Sequence, residues 1–339
     1  MKLFHFFAFI ISILYGSVVH IRNLLFDIGI FNQKKFESKS IGVGNISLGG
    51  TGKTVLIDYL TKYLTDKYRI SIISRGYKRK SKGLIEVDSF SSYQQVGDEP
   101  YMLFLKNPHT KIVVSENRVK AIKFLLNRYS YQKIFLLDDV FQHRWIKPGL
   151  NILLTKYNSP FFSDFVLPYG KLREFRFGYK RSDIILVTKC PDKIDDFEKK
   201  VFSEKIKLNK NQKIFFSTIT YNKLIFNNKE TRNLNDLKNS HFILLTGIAD
   251  NKELLSYLTN FNFNLIEFSD HHDFTNADIK KIKDSANGKI ILTTEKDYVR
   301  IVGKINYDLL YYLPIEMKFT GNEGILFNKE IDRYLKKVN

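Results

Sequence analysis

Cysteine is almost absent from this chain of 339 residues, in which Cys190 is the only one. A single thiol cannot form an internal disulfide, and this fits a reducing compartment. The sequence also lacks both a cysteine cluster and the H-E-x-x-H spacing of zinc enzymes, so nothing in it supports a zinc site. No internal repeat is evident. These absences exclude a disulfide scaffold and turn attention to charge and to glycine.

Acidic residues are outnumbered, because 54 Lys and Arg stand against 35 Asp and Glu, and the formal net charge is +19. Such an excess suits an anionic partner, such as nucleic acid, anionic lipid or a phosphorylated substrate. No long basic run occurs, however, and dispersed lysines suit ordinary solvated faces equally well. A hydrophobic content of 44% excludes global disorder, and the length of the chain suggests two domains.

Charge is missing from the start of the chain, where no Asp, Glu, Lys or Arg occurs from Leu3 to Val19. Seventeen such residues are close to the lower limit for a helix that spans a bilayer. A spanning helix, a cleaved signal peptide and a buried core helix are alternatives, but no A-x-A-like cleavage site follows. Apolar residues nearly all round the helix, flanked by Lys2 and Arg22, favour a helix that lies in the membrane interface.

A glycine-rich segment from Ser47 to Thr54 carries the strongest local signal. It follows an apolar run over 41–46 and precedes a helical pattern over 55–64, which is the strand–loop–helix layout of a phosphate-binding loop. In such a loop, backbone N–H groups and the helix N-terminus bind phosphate, the lysine reaches the β/γ-phosphates and the threonine ligates Mg²⁺. Ser47 stands where the general pattern has glycine, and a loop that merely turns the chain is the alternative. The predicted nucleotide-binding residues are Ser47, Leu48, Gly49, Gly50, Thr51, Gly52, Lys53 and Thr54.

The rest of the chain alternates short apolar runs with helical patterns, which predicts an α/β fold with mostly parallel sheets. We expect residues 1–35 to form the hydrophobic helical segment, 36–190 the nucleotide-binding and catalytic domain, and 191–339 a smaller α/β domain. The predicted strands are 69–74, 110–115, 133–137, 151–155, 183–188, 213–218, 241–246, 265–268 and 289–293.

Two adjacent carboxylates, Asp138 and Asp139, end the predicted strand 133–137. Ligands of open α/β sheets bind at the carboxyl ends of the strands, so one of the two acids is a candidate Mg²⁺ ligand. Because successive strand residues point in opposite directions, Asp139 alternatively caps the next turn while only Asp138 acts. Gln142 and His143 follow as candidate polar contacts or ordinary loop residues.

Two further polar clusters have both structural and chemical interpretations. Asp98 precedes a predicted helix over 101–105 and is a candidate N-cap. His271 and His272 stand between two aspartates in a segment whose default interpretation is an exposed loop. A histidine paired with a carboxylate suits the removal of a proton from a hydroxyl at neutral pH. Arg173 either steadies a phosphoryl group or simply pairs with the predicted helix of Glu174.

Together these segments resemble the tetraacyldisaccharide 4′-kinase family of lipid A biosynthesis, in order and over most of the chain. Val140 departs from the family pattern, which usually has glycine there, and Tyr298 stands where the family usually has a small residue. The matching segments are G-N-I-S-L-G-G-T-G-K-T (44–54), S-R-G-Y (74–77), G-D-E-P (97–100), D-D-V-F-Q-H (138–143), P-Y-G-K-L-R-E (168–174), D-H (270–271) and T-E-K-D-Y-V-R (294–300).

This resemblance implies a P-loop kinase-like domain with a mostly parallel sheet, a smaller α/β domain and an N-terminal hydrophobic helix. It implies transfer of the γ-phosphoryl group of ATP, with Mg²⁺, to the 4′-hydroxyl of a tetraacylated glucosamine disaccharide 1-phosphate at the cytoplasmic face of the bacterial inner membrane. Asp98 acts as the base, assisted by His271, with His272 as a less favoured substitute. The remaining implied residues are Lys53 and Arg173 at the phosphoryl group, Thr54 with Asp138 or Asp139 at Mg²⁺, and Gln142, His143 and Glu174 as candidate substrate contacts.

Two other classes of protein fit parts of the sequence. A P-loop GTPase or ATPase would couple hydrolysis to a membrane partner, but the segment after Val187 fails the N-K-x-D spacing of guanine recognition. A non-catalytic membrane adaptor is disfavoured by the intact Lys53, Thr54, Asp98 and Asp138. The kinase interpretation needs an acylated lipid substrate and a membrane surface, and it predicts neither a nucleic-acid partner nor an obligate protein partner.

Overall fold

The protein is described by a computed structural model that covers residues 2–131 and 133–337, with side chains from His5 onward. Within these ranges the chain forms ten α-helices. Helices α1 to α10 are Lys2–Asp27, Lys53–Thr65, Tyr93–Val96, Asp98–Lys106, Arg118–Arg128, Asp196–Ile206, Lys252–Tyr257, Asn276–Ala286, Glu295–Ile301 and Glu323–Lys336.

The same ranges contain fifteen strands, which form two sheets. Strands β1 to β15 are Lys39–Asn45, Ile70–Ser74, Ile85–Glu86, Lys111–Val114, Ile134–Asp138, Leu150–Lys156, Ile184–Thr188, Lys213–Tyr221, Leu224–Phe226, Thr231–Asn233, His241–Thr246, Asn262–Glu267, Ile291–Thr294, Leu310–Leu313 and Ile315–Phe319.

The larger sheet has nine strands in the order β15-β8-β7-β6-β1-β5-β2-β4-β3. Its strands from β8 to β4 all pair in parallel, and only the edge strands β15 and β3 run antiparallel. Strands β2, β5 and β7 are buried along their whole length, as expected for apolar runs covered on both faces of a parallel sheet. The carboxyl ends of these strands therefore meet along one edge, at which the phosphate-binding segment follows β1.

The smaller sheet has six strands in the order β10-β9-β14-β13-β11-β12, with a parallel centre and an antiparallel hairpin at one edge. The expected α/β fold with mostly parallel sheets is therefore confirmed. The division after residue 190 stays a prediction. Strands β8 and β15 follow that residue but pair within the larger sheet, and the smaller sheet is built from residues 224–313.

The first turn of α4 differs from the prediction. Gly97, and not Asp98, is the N-cap residue, and Asp98 is the first residue of the helix. Gly97 has a φ of 95°, and a Cβ there would lie 3.2 Å from the backbone of Gly76. Only glycine fits this conformation and this close approach, so Gly97 takes the N-cap position and the helix begins one residue earlier than a cap at Asp98 would require.

Helix α1 has its polarity reversed relative to a helix of a soluble protein. Its buried residues include Ser12, Gly16, Asn23 and Phe26, which lie four, seven and three residues apart and so share one face. A Cβ at Gly16 would lie 2.6 Å from the ring of Phe175, so the small residue permits close packing. The polar and small residues of α1 therefore face the protein.

The outward faces of α1 are apolar. The segment His5–Asp27 has a mean hydropathy of 1.6 and is long and apolar enough to cross a membrane, although only 22% of its most apolar window is buried. Its exposed large hydrophobic residues are Phe6, Phe7, Phe9, Ile10, Ile11, Ile13, Leu14, Tyr15, Val18, Ile21 and Leu24. A continuous surface of this kind marks an interaction site, since water does not favour it.

A buried ion cluster joins three helices beside the sheets. The ammonium of Lys106, at the end of α4, lies 2.8 Å from Oδ2 of Asp58 on α2 and 2.7 Å from Oε1 of Glu295 on α9. Burial by itself raises the pKa of Asp58, but the charge and hydrogen bond of Lys106 lower it on balance. Burial also raises the pKa of Glu295, which the same ammonium opposes. One lysine thus compensates two buried carboxylates.

Replacement of this lysine tests the cluster. Lys106→Met leaves Asp58 and Glu295 without their shared cation, and breaking a buried pair in this way costs about 3–5 kcal/mol. We expect a fall of several degrees in the thermal unfolding midpoint, measured by circular dichroism. Lys62→Met is the control, because Lys62 also pairs with Asp58 but has a half-exposed side chain, and such pairs contribute about 0–1 kcal/mol. Equal shifts in the two variants would contradict the assignment.

Candidate active site

The segment between β1 and α2 forms a tight loop with its glycines in left-handed conformations. Gly49 has a φ of 94° and Gly52 a φ of 89°, values that favour glycine. Side chains from the strand ends fix the loop, because Asn45 donates from Nδ2 to Oγ1 of Thr51 at 3.0 Å and Thr188 donates to the Thr51 carbonyl at 2.9 Å. The loop leads directly into α2, so its N–H groups and the helix N-terminus meet at one point.

Lys53 is the first residue of α2 and lies between two polar groups of this edge. Its Nζ is 3.5 Å from Oδ1 of Asp139 and 3.3 Å from Oδ1 of Asn45. Asp139 also accepts from Nη1 of Arg173 at 3.2 Å. Burial raises the pKa of Asp139, but the charges of Lys53 and Arg173 lower it on balance. Two cations are therefore held close together by one carboxylate, which suits a site for a highly charged phosphate.

The segment that carries Arg173 is itself bound to the loop. The N–H of Leu48 donates to the Lys171 carbonyl at 2.7 Å, and the N–H of Arg173 donates to the Ile46 carbonyl at 2.7 Å. These backbone bonds fix the arginine beside the phosphate-binding loop, although 120 residues of sequence separate the two. Arg173 and Lys53 thus lie beside the same loop, although only Lys53 belongs to it.

Asp138 fits a divalent cation better than Asp139 does. Its Oδ2 accepts from the Ser74 hydroxyl at 2.9 Å, but its buried Oδ1 has no hydrogen-bond partner among the described residues. Burial, then the charges of Glu99 and Asp139, raise the pKa of Asp138 to about 6. A buried oxygen without a donor favours a cation, and oxygen ligands are what Mg²⁺ takes. In the part of the chain described here no three His, Cys, Asp or Glu side chains gather around one point, so a metal would also need ligands such as the Thr54 hydroxyl and phosphate oxygens.

Asp98, at the start of α4, is held by two residues that follow strands of the smaller sheet. Its Oδ2 lies 3.3 Å from Nδ1 of His271 and accepts a short hydrogen bond from Nη2 of Arg300. Burial raises the pKa of Asp98, but the hydrogen bond of His271 and the charges of Arg300 and Lys296 hold it well below its usual range. The predicted pair of Asp98 and His271 is therefore brought together, as an ionised carboxylate beside an imidazole.

His271 has a choice of hydrogen bonds that its chemistry limits. Its Nδ1 is 3.0 Å from Nη2 of Arg300 as well as close to Asp98. Arginine is only a donor, so Nδ1 either accepts from Arg300 when unprotonated or donates to Asp98 when protonated. The φ of 62° at His271 is rare for a residue with a side chain and such strain is common at functional sites. His272 instead lies 2.9 Å from Asp278 on α8.

Two of the three remaining predicted contacts, Gln142 and Glu174, are hydrogen-bonded to each other, and His143 follows Gln142 directly in the sequence. Gln142 donates from Nε2 to the Asn45 carbonyl at 2.8 Å and to Oε1 of Glu174 at 3.0 Å. Glu174 is buried, and its other oxygen accepts from Arg181 at 2.7 Å. Burial, then the charges of Arg118, Arg22 and Arg75, lower the pKa of His143 to about 4, so the imidazole is neutral at pH 7. Its buried Nε2 meets no partner within the described ranges.

Several residues of this site were missing from the predicted set. Arg300 and Lys296 lie in the quoted segment 294–300, and their spacing of four on α9 directs both toward α4, where Lys296 binds Glu99 at 2.7 Å. Asn45 ends β1 in another quoted segment. Arg118 is fully buried and donates to the carbonyls of Asp138 and Asp139 at 3.3 Å. Its place at the start of a helix after a strand was the available signal.

The fold and the loop define a P-loop protein, because a glycine-rich loop leads from β1 of a mostly parallel sheet into α2 and acids follow the neighbouring strand β5. The family model described as Tetraacyldisaccharide-1-P 4'-kinase matches residues 4–335. The chain is 43% identical over 327 residues to the Tetraacyldisaccharide 4'-kinase of Flavobacterium psychrophilum, with 96% of this chain and 95% of that one covered. It is 42% identical over 337 residues to the Tetraacyldisaccharide 4'-kinase of Flavobacterium johnsoniae, with 99% of each chain covered. The chain therefore belongs to the tetraacyldisaccharide-1-P 4'-kinase family.

A solved structure of the family has the same fold. The crystal structure of "apo" form LpxK from Aquifex aeolicus in complex with ATP superposes with a TM-score of 0.78 at 32% sequence identity. The match covers 96% of this chain and 97% of that one. The predicted family and fold class are confirmed, whereas the individual roles of the predicted site residues stay predictions.

The nucleotide assignment of the loop gives a direct binding prediction. Lys53→Ala removes an ammonium that faces the phosphates, and a charged hydrogen bond contributes about 1.5–3 kcal/mol, so we expect ATP affinity to fall by roughly tenfold to a hundredfold. Isothermal titration with a non-hydrolysable ATP analogue and Mg²⁺ measures this. Lys67→Ala is the control, because Lys67 follows the far end of α2, is exposed and lies over the Tyr63 ring. Unchanged affinity in Lys53→Ala would remove the loop from the nucleotide site.

Proposed function

We propose that this chain is an ATP-dependent kinase that phosphorylates the 4′-hydroxyl of a tetraacylated glucosamine disaccharide 1-phosphate. The observation that carries the proposal is Asp98, an ionised and buried carboxylate held by His271 and Arg300 near the edge that carries the phosphate-binding loop. Membership of the family supplies the chemical identity of the acceptor. A hydrolase transfers the phosphoryl group to water, so it would not need a carboxylate to accept the proton of an alcohol.

Asp98 is the proposed base toward the acceptor hydroxyl. Its pKa lies well below the usual range, so it accepts a hydrogen bond from the hydroxyl while it is still ionised. Phosphoryl transfer passes through a loose transition state, in which orientation of the nucleophile matters more than early removal of its proton. His271 then steadies Asp98 and shares the proton as it leaves the hydroxyl.

The remaining residues stabilise charge on the transferred group. Lys53 and Arg173 both contact Asp139, and each carries further N–H donors for the oxygens of a bound phosphate. We assign Thr54 and Asp138 as the residues that would hold Mg²⁺, with Asp139 orienting the two cations. A bound Mg²⁺ would neutralise charge on the phosphates and orient them.

The proposed contacts with the sugar differ in what each side chain has available. His143 is neutral, and its buried Nε2, still unpaired by any described residue, fits a hydroxyl or phosphate of the substrate. Gln142 and Glu174 are engaged with each other and with neighbouring residues. We therefore expect His143 to touch the substrate and Glu174 to hold Gln142 in position.

Helix α1 is the proposed attachment to the membrane. Its exposed apolar faces suit the acyl region, and the net charge of +19 adds attraction to anionic lipid. Use of ATP requires the cytosolic side, which in a bacterium that makes lipid A is the cytoplasmic face of the inner membrane. An acylated substrate in the same interface would then reach the site without leaving the bilayer.

One assay tests the function as a whole. Purified protein is incubated with labelled ATP, Mg²⁺ and the disaccharide 1-phosphate lipid in detergent, and we expect a bis-phosphorylated lipid as product. Release of inorganic phosphate at the same rate with and without lipid, and no labelled lipid, would instead support an ATPase that acts on a partner. GTP offered in place of ATP separates the guanine-specific alternative.

The pairing of Asp98 and His271 predicts non-additive kinetics. Asp98→Ala and His271→Ala should each lower kcat by about a hundredfold or more, and the double variant should lose little beyond the worse single, because groups that act as a unit are not additive. His272→Ala is the matched control, since that imidazole binds Asp278 instead. Fully multiplicative losses would mean that the two residues act separately, and a larger loss at His272 would move the role there.

The outward face of α1 predicts how the protein binds lipid. Leu14→Asn with Val18→Asn removes two side chains that are more than 60% exposed, each worth about 1.5–3 kcal/mol when fully buried in an apolar phase. We expect sedimentation with anionic vesicles to fall by at least a hundredfold in partition and to become sensitive to salt, whereas ATP affinity is kept. Phe90→Asn, at an exposed position elsewhere, should bind vesicles like the parent chain. Vesicle binding that salt removes equally from all three proteins would show that α1 is no anchor.

A further inference from the structure

Helix α1 carries a buried amide that binds the catalytic side of the protein. Asn23 is only 8% exposed, and its Nδ2 donates to Oε2 of Glu174 at 3.0 Å across 151 residues of sequence. The backbone carbonyl of Asn23 accepts from Nη1 of Arg144 at 3.1 Å. A polar group in an otherwise apolar helix costs free energy when it is buried unless a partner satisfies it. Attachment to a membrane needs no such amide, so its direction toward Glu174 requires another explanation.

Glu174 connects Asn23 to Gln142. Its Oε2 accepts from Asn23 and Arg181, whereas its Oε1 accepts from Nε2 of Gln142 at 3.0 Å. Gln142 in turn accepts at Oε1 from Nη1 of Arg173 at 3.3 Å. The orientation of the glutamine amide is thereby set from the side of α1.

Arg173 completes the connection to the phosphate-binding loop. The same Nη1 that donates to Gln142 also donates to both oxygens of Asp139, at 3.2 and 3.3 Å, and Asp139 lies 3.5 Å from Nζ of Lys53. An unbroken series of side-chain contacts therefore runs from Asn23 to the lysine of the loop. Networks of this kind in a low-dielectric interior hold their members more firmly than the separate pairs would.

The residue before Asn23 reaches the same segment independently. Nη2 of Arg22 donates to the Gln142 carbonyl at 2.6 Å. Two successive residues of α1 thus connect to Gln142. Asn23 reaches the Gln142 side chain through Glu174, and Arg22 binds the Gln142 backbone carbonyl directly. Neither contact lies on the exposed apolar faces of the helix.

We propose that Asn23 is a positioning residue for phosphoryl transfer, through which the membrane-associated helix orients Gln142 and Arg173 at the phosphate site. The inference rests on the proposed function, since it concerns the same reaction. Asn23 touches neither the substrate nor the nucleotide and acts through Glu174. Catalytic groups lose much of their effect when they are misplaced by about 1 Å, so a contact this far from the chemistry is able to govern turnover.

The central variant removes the amide and keeps the volume. Asn23→Leu should lower kcat by about tenfold, which corresponds to one hydrogen bond to a charged group, while KM for ATP and for the lipid changes by less than about twofold. The assay uses the full chain with dispersed lipid and detergent, so that membrane binding does not limit the rate. Ser12→Ala is the matched control, because Ser12 is also buried on α1 and donates to the Val166 carbonyl at 2.6 Å, away from this series of contacts. It should keep kcat within about twofold.

A reversed pair tests the contact itself and does not depend on Asn23→Leu folding. Asn23→Asp sets a second carboxylate against Glu174, and Glu174→Gln removes the acceptor charge, so each single variant should lose activity. In the combined variant the amide nitrogen from Glu174→Gln donates to the carboxylate from Asn23→Asp, while the amide oxygen still accepts from Gln142. We expect the combined variant to regain at least a third of the parental kcat.

The outcomes separate this inference from the function on which it rests. A parent chain that makes no labelled lipid overturns the proposed function. An active parent with Asn23→Leu equal to Ser12→Ala, or with losses that simply multiply in the reversed pair, overturns the role of Asn23 alone. A fall in kcat for Asn23→Leu together with recovery in the reversed pair supports it.

Discussion

The buried contact of Asp98 with Arg300 is the interaction on which the site depends. It joins the first residue of a helix on the larger sheet to a helix that follows a strand of the smaller one, across 202 residues of sequence. Both side chains are less than a tenth exposed, so each charge has lost its water and relies on the other. Loss of either partner would leave an uncompensated buried charge, which costs about 3–5 kcal/mol. The carboxylate that we propose as the base thus also joins an element of the larger sheet to an element of the smaller one.

The contacts around this ion pair explain why it forms in one arrangement. Helices α4 and α9 lie side by side. Lys296 pairs with Glu99 near the start of α4, and Glu295 pairs with Lys106 at the end of α4. Acids open both helices and cations close them, which agrees with the helix dipoles. Because Lys106 also binds Asp58, the same contacts reach the helix that begins with Lys53. The position of the proposed base, Asp98, is therefore tied to the position of Lys53, which we propose binds phosphate.

The sequence predicted the parts of the site that are local. The loop over 47–54 and the acids after β5 follow from strand–loop–helix order, which needs only neighbouring residues. The partners of Asp98 and Glu174 were not predictable in this way, because Arg300 and Asn23 come close to them only in the folded chain. The pattern also predicted an apolar α1 without showing which side turns inward, since Ser12, Gly16 and Asn23 lie on its buried side together with Phe26. Gly97 displaced the expected cap at Asp98 because a close approach of two backbones decided the conformation.

The reversed polarity of α1 connects its outward apolar faces with the contacts that its polar residues make inside the protein. A helix that only attached the protein to lipid would need one apolar side and would leave its polar residues in water. Here the polar residues face the protein, where Arg22 and Asn23 bind Gln142 and Glu174, and Ser12 binds the Val166 carbonyl outside that series of contacts. In the proposed function the apolar faces contact the lipid that also holds the acylated substrate. One helix would then set both the height of the protein at the membrane and the orientation of groups at the phosphate site, so that the acceptor hydroxyl and the nucleotide would be positioned relative to the same rigid element.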